Sequence, residues 1–135
     1  MGSKKNYVVQ PKGWPLPKGY ANGLVAQGRV VFIAGMVGWN REHVFESEDF
    51  LDQVRQALRN IVEVLAEAGG RPEHLVRLTW FVTDKREYLA SLPAMGEVYR
   101  SLIGRHYPPM TVVEVKGLLD DRAKVEIEAT AVIPD

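Results

Sequence analysis

The stretch "AKVEIEATAVI", residues 123–133, decides how this chain folds. Read with a period of two, Val125, Ile127, Ala129 and Ala131 share one face, and Lys124, Glu126, Glu128 and Thr130 share the other. Such a strand has one face against an apolar layer and one face turned outward. Two other runs, "TVVEV" (111–115) and "VVFIA" (30–34), are apolar on both faces. If helices cover one side of the sheet, the alternate apolar residues of these runs stand on the uncovered side, and a patch of that kind marks an interface. The pattern predicts an oligomer that buries the open sheet face, with the glutamates of that face lining clefts between subunits. For Glu128 the competing reading is a solvent-facing position on an edge strand.

The covering layer is legible upstream. In "SEDFLDQVRQALRNIVEVLAEAGG" (47–70), Phe50, Val54, Leu58, Ile61 and Leu65 recur at steps of three and four, so they form one apolar stripe along a helix. Ser47 or Asp49 can cap it, and Gly69-Gly70 followed by Pro72 stops it. Asp52, Arg55, Arg59 and Glu63 fall on the wet side. A second helix is expected over 92–103, with Pro93 in its first turn, where a missing N–H costs nothing, and Gly104 at its end. "YVVQP" (7–11) reads as a short strand, and "HLVRLTWFVTD" (74–84) and "MTVVEV" (110–115) as further strands. "GLVAQGRVVFIAG" (23–35) reads as a hairpin turning at Gln27-Gly28-Arg29 and ending at Gly35. The order β-β-β-α-β-α-β-β predicts an α+β sandwich: one domain over 1–135, with two helices on one face of a mixed sheet of about six strands.

Composition narrows the function. Seventeen basic and seventeen acidic residues cancel, so no general attraction draws the chain to a phosphate backbone, and no nucleic-acid partner is expected. No apolar run approaches the roughly eighteen residues of a membrane span. The start "MGSKKNYVV" lacks the apolar core of a signal peptide. The chain has no cysteine, which excludes disulfides, thiolate metal sites and a cysteine nucleophile, and suits a reducing cytoplasm. His43, His74 and His106 show no metal-ligand spacing, so no metal is expected. Phosphate-loop, dinucleotide and serine-hydrolase fingerprints are missing.

Taken together and in order, "PKGYANG" (17–23), "GRVVFIAG" (28–35), Gln53 in the long helix, "AGG" (68–70), "LVRLTWFVTD" (75–84) and "YPPMTVVEVKGLLDDRAKVEIEATAVIP" (107–134) resemble the YjgF/RidA family, the reactive-intermediate deaminases or L-PSP endoribonuclease-like proteins. The resemblance runs from Tyr20 to Pro134. It implies a chorismate-mutase-like sandwich, a homotrimer with ligand clefts between subunits, and a small-molecule metabolite as partner. It also implies hydrolysis of amino-acid enamines and imines to 2-keto acids and ammonia, with no cofactor and no metal.

Residue by residue, the resemblance is uneven. Deaminating members read Pro-Ala-Arg-(Ser/Thr) where this chain reads Pro108-Pro109-Met110-Thr111, so Met110 stands in the place of the arginine. A guanidinium there grips a substrate carboxylate with two parallel hydrogen bonds, and a thioether offers only soft apolar surface. Glu126 matches the glutamate that positions the attacking water, a task for which a carboxylate in a half-dry cleft is suited. Tyr20 matches a tyrosine near the cleft mouth, the alternative being packing. Ala34-Gly35-Met36 replaces Ser-Gly-Gln, which puts Met36 against the ligand, and Pro93 replaces an asparagine at the start of the second helix. Trp39, with Asn40, is a candidate cleft wall; Trp80, in mid-strand, reads as core. Arg105 and Lys116 are the cations near enough in sequence to substitute for the missing arginine. Two functional readings follow: a trimeric hydrolase or deaminase whose substrate is not a plain 2-imino acid, with Glu126 catalytic and Tyr20, Met36, Trp39 and Met110 binding the substrate, or a trimer that binds a small ligand without turning it over. The endoribonuclease activity attached to some relatives is disfavoured by the neutral charge and the missing arginine.

Overall fold

Asp49 starts the first helix: its side chain accepts from the Asp52 N–H at 3.0 Å, leaving Ser47 to bond Asp52 from one turn further out. The helix ends in a Schellman motif. Gly69 takes φ +87°, its N–H bonds the Ala66 carbonyl, and the Gly70 N–H reaches back to the Leu65 carbonyl at 2.9 Å. In the computed structural model, which describes residues 6–135, the strands are β1 (Tyr7–Val9), β2 (Gly23–Val25), β3 (Arg29–Val37), β4 (Leu75–Val82), β5 (Met110–Glu114) and β6 (Val125–Ile133). The helices are α1 (Phe50–Glu67) and α2 (Lys85–Ile103), with a single 3-10 turn at Pro72–His74.

The α+β class and the two helices on one face of a mixed sheet are as the pattern predicts. The main sheet runs β3-β6-β4-β5; β6 is antiparallel to both neighbours, and the α2 crossover makes β4 and β5 parallel. Phe50, Val54, Leu58, Ile61 and Leu65 pack with Val125, Ile127, Ala129 and Ala131 and with Met95, Val98, Tyr99 and Ile103 of α2 in one core. Gln53 lies inside this helix face. It is 1% exposed and fully bonded: its Nε2 donates to the carbonyls of Ser47 and Arg122, and its Oε1 accepts from the Lys124 N–H. It ties the helix start to the loop that feeds β6.

Three expectations are corrected. The run 23–35 is not a hairpin: β2 pairs with β1, and β3 pairs with β6, so the six strands divide into sheets of two and four. Gly35 does not end β3; the strand continues to Val37 through a register shift between Ile33 and Met36. The second helix starts at Lys85, because Asp84 caps it by accepting from Arg86 and Glu87, and Pro93 lies inside it on the exposed side. An exposed proline costs its helix one N–H bond, which water at the freed carbonyl partly offsets.

Candidate functional site

Strand register separates the two residues singled out for chemistry. Met110 pairs with Leu78, and Leu78 with Ala129, so Met110 belongs to the helix-covered face. Glu126 pairs with Phe81, and Phe81 with Val113, so Glu126 belongs to the open face. Each has its own surroundings.

Met110 lies in a cleft of about 420 Å³ between α2 and the start of β5. Its floor is Trp80, its walls include Tyr88, Met95, Tyr99 and Tyr107, and Lys18 and Arg100 are the lining cations. Tyr99 and Tyr107 stack at 5.4 Å, and Tyr88 meets Trp80 edge-on at 6.2 Å. The Tyr99 hydroxyl donates to the His106 carbonyl at 2.7 Å. Burial, aided by Tyr107 nearby, pushes the Tyr99 hydroxyl well above the ordinary phenol range, and burial raises Tyr88 as well. Both phenols therefore stay neutral, and among the described residues no acidic side chain lines the cleft. The indole Nε1 of Trp80, a residue 2% exposed, is buried with no partner among the described residues. An unmet buried donor costs roughly 1–3 kcal/mol.

Glu126 is half-buried beside Gly35 at the β3 irregularity. A Cβ built on Gly35 would collide with the Glu126 carboxylate, so the bare backbone there is what lets the carboxylate lie across β3. Around it the open face is apolar and wet: Phe32 is 82% exposed, Val30 51% and Val113 40%.

The other sequence candidates scatter. Tyr20 is exposed and follows Lys18-Gly19 at the cleft lip; next to it the Ala21 N–H donates to the Pro108 carbonyl, holding this segment against the turn that carries Met110. Met36 packs on the core side of the sheet, away from Glu126. Trp39 stacks on His43 at 4.2 Å and joins a small separate cluster with Val37, Phe45 and Ala123; it lines neither place. Arg105 and Lys116 are exposed and do not line the Met110 cleft. The cations that do, Arg100 and Lys18, were missed. The signal was available: with α2 starting at Lys85, Tyr88, Leu92, Met95 and Tyr99 fall on one face at steps of four, three and four. Among the described residues no His, Asp and Glu group could hold a metal ion, and no helix is long and apolar enough to cross a membrane.

The model of the family described as Endoribonuclease L-PSP matches residues 15–133. The chain belongs to that family, the YjgF/RidA family. A RutC family protein of Aquifex aeolicus is 31% identical over 125 residues, covering 93% of this chain and 97% of the relative. The reactive intermediate deaminase TdcF of Escherichia coli, so named provisionally, is 31% identical over 116 residues, covering 84% and 85%. Among solved structures, the Rid-family protein YyfB of Yersinia pestis superposes with a TM-score of 0.84 at 29% identity, covering 96% of this chain and all of that one. The YjgF/RidA membership agrees with the fold above, and some of the relatives carry deaminase names.

Proposed function

We propose that this protein is a homotrimer with a small-molecule cleft between protomers, a cofactor-free hydrolase of an enamine, imine or related metabolite in the cytoplasm, and a poor deaminase of plain 2-imino acids. The observation that carries this reading is the placement of Met110 and Glu126 on opposite faces of one sheet. One protomer cannot close a site around both, whereas the open face of a second, bearing Glu126 and the exposed Phe32, can complete it. In such a cleft the Glu126 carboxylate takes a proton from water as the oxygen adds to the C=N carbon and passes it to the nitrogen; it then carries the new hydroxyl's proton to the nitrogen as the C–N bond breaks, ammonia leaves and the carbonyl forms, an enamine first taking a proton at carbon to become the imine. Deaminase-named relatives support the reaction type. Met110 argues against the usual substrate: a 2-imino carboxylate would lose hydrogen bonds to a charged partner worth roughly 1.5–3 kcal/mol each, on the order of a hundredfold in binding.

The test is ammonia release from enzymatically generated 2-aminoacrylate. The natural protein is expected to be slow, Met110→Arg to gain at least about tenfold, and Glu126→Gln to erase the gain. A natural rate that Met110→Arg does not raise sinks the role given to Met110. Met110 is also what a ligand-holding trimer without turnover would show; no gain in Met110→Arg, with the fold intact, would favour that second reading.

A further inference from the structure

The cleft at Met110 is lined by cations as well as by thioethers and rings. Arg100, on α2, lines it and makes no ion pair among the described residues. Gly96, one turn earlier and also lining the cleft, leaves room for it: a Cβ there would sit 2.9 Å from Arg100 Nη1, so the guanidinium lies along the helix surface that faces the cleft. Lys18 stands on the lip. Between these cations and the floor, the walls are aromatic rings and thioethers, and the floor residue carries an N–H with nothing to donate to. A ligand that answers all three features has an anionic end, a flat apolar body and a hydrogen-bond acceptor at the far end.

We propose that this cleft binds a small aromatic carboxylate, with the carboxylate on Arg100, the ring among Tyr88, Tyr99, Met95 and Met110, and an acceptor on the ring taking the Trp80 Nε1 hydrogen. Three considerations favour it. A planar guanidinium matches a carboxylate in two hydrogen bonds. Aromatic and sulfur-bearing walls suit a ring better than a short polar chain. A cleft of about 420 Å³ is of the size that takes a ring with a side chain, and it lies within the ordinary range of ligand pockets. Arg100 belongs to α2 and Met110 to the start of β5, so an anion on Arg100 is gripped from a different element than the strand start. This rests on reading the Met110 cleft as the ligand site; it does not depend on turnover.

The experiment is a titration of the ¹⁵N-labelled protein with 3-(4-hydroxyphenyl)propionate as probe, reading the indole N–H resonances, with the Trp80 signal identified by its loss in Trp80→Phe. The expected result is a saturable downfield shift of the Trp80 indole, with those of Trp14 and Trp39 unmoved. Arg100→Gln, at an exposed position, should weaken the probe at least about tenfold. Trp80→Phe should remove the preference for this probe over 3-phenylpropionate, which lacks the ring oxygen, and tyramine, which has a cation in place of the carboxylate, should not bind. No saturable shift up to about 10 mM, a concentration that excludes even weak affinity, overturns the proposal, and so does binding that Arg100→Gln leaves unchanged. Probe binding without any hydrolase activity would remove the catalytic reading and leave this one standing; hydrolysis without probe binding would do the reverse.

Discussion

Met110 and Glu126 lie on opposite faces of the same four-stranded sheet, one under α2 and the other on the side no helix covers. A cleft that uses both therefore needs a second protomer, and Phe32 is the most exposed apolar side chain on the sheet face such a protomer would meet. Phe32→Glu is expected to leave the secondary structure intact by circular dichroism, to sediment as a monomer at micromolar concentration, and to abolish hydrolysis. A variant that stays assembled, or a monomer that remains active, contradicts the arrangement.

The close approach of Gly35 to Glu126 makes a second prediction. Gly35→Ala forces the carboxylate off the strand, at a half-exposed place where the side chain has somewhere to go. Thermal stability should change little while hydrolysis falls at least about tenfold, a part of the roughly 10²–10⁴-fold that a positioned acid–base group contributes. Equal losses of activity and stability would assign the glycine to folding instead.

Gln53 gives a prediction about the scaffold. Its amide satisfies two carbonyls and one N–H from three segments while fully buried. Gln53→Leu keeps the volume and strands those groups, so it should cost roughly 2–4 kcal/mol in denaturant unfolding. A cost below about 1 kcal/mol, the net worth of one ordinary hydrogen bond, would mean that water replaces the amide.

Tyr99 sets the alkaline limit. Burial, with Tyr107 nearby, raises its folded-state ionisation above the ordinary phenol value of about 10, and burial raises Tyr88 in the same direction. A raised value means that the folded protein holds protons the unfolded chain releases. The contribution is complete below pH 10 and is lost as pH climbs beyond it, each such tyrosine adding a slope of up to about 1.4 kcal/mol per pH unit. Unfolding free energies measured between pH 9 and pH 11 should fall more gently in Tyr99→Phe than in the natural protein. Parallel pH profiles would mean the phenol is freely ionised in the folded state.

The strand 123–133 carried most of the fold because an alternation of Val125, Ile127, Ala129 and Ala131 against Glu126 and Glu128 has only one sensible orientation, and the α1 stripe had only one face to offer it. The pairing of β2 was misread because a glycine between two β-rich runs suits a hairpin and also a crossover between sheets, and only long-range contacts choose between them. The cleft at Met110 was half legible. Met110 could be located from the turn before it, whereas Arg100, Tyr88 and the unpartnered Trp80 N–H emerge only once α2 packs over β4 and β5. Placing the start of α2 at Leu92, with Pro93 in its first turn, left Tyr88 off the helix.

That misplacement yields the last prediction. Pro93 occupies the ninth position of a nineteen-residue helix and is exposed. It cannot donate to the Leu89 carbonyl, and its ring crowds that carbonyl. Pro is about 3 kcal/mol worse than Ala in a helix interior, but a helix already adapted to it recovers part of that. Pro93→Ala should therefore stabilise the protein by roughly 1–2 kcal/mol in chemical denaturation. Because Leu92 and Gly96 beside it line the cleft, the same variant reports on whether the proline shapes the site. Unchanged affinity for the aromatic carboxylate probe, with the gain in stability, would make Pro93 a cost to the helix with no return at the cleft; weaker affinity would show that the proline sets the line of α2 along which Arg100 approaches.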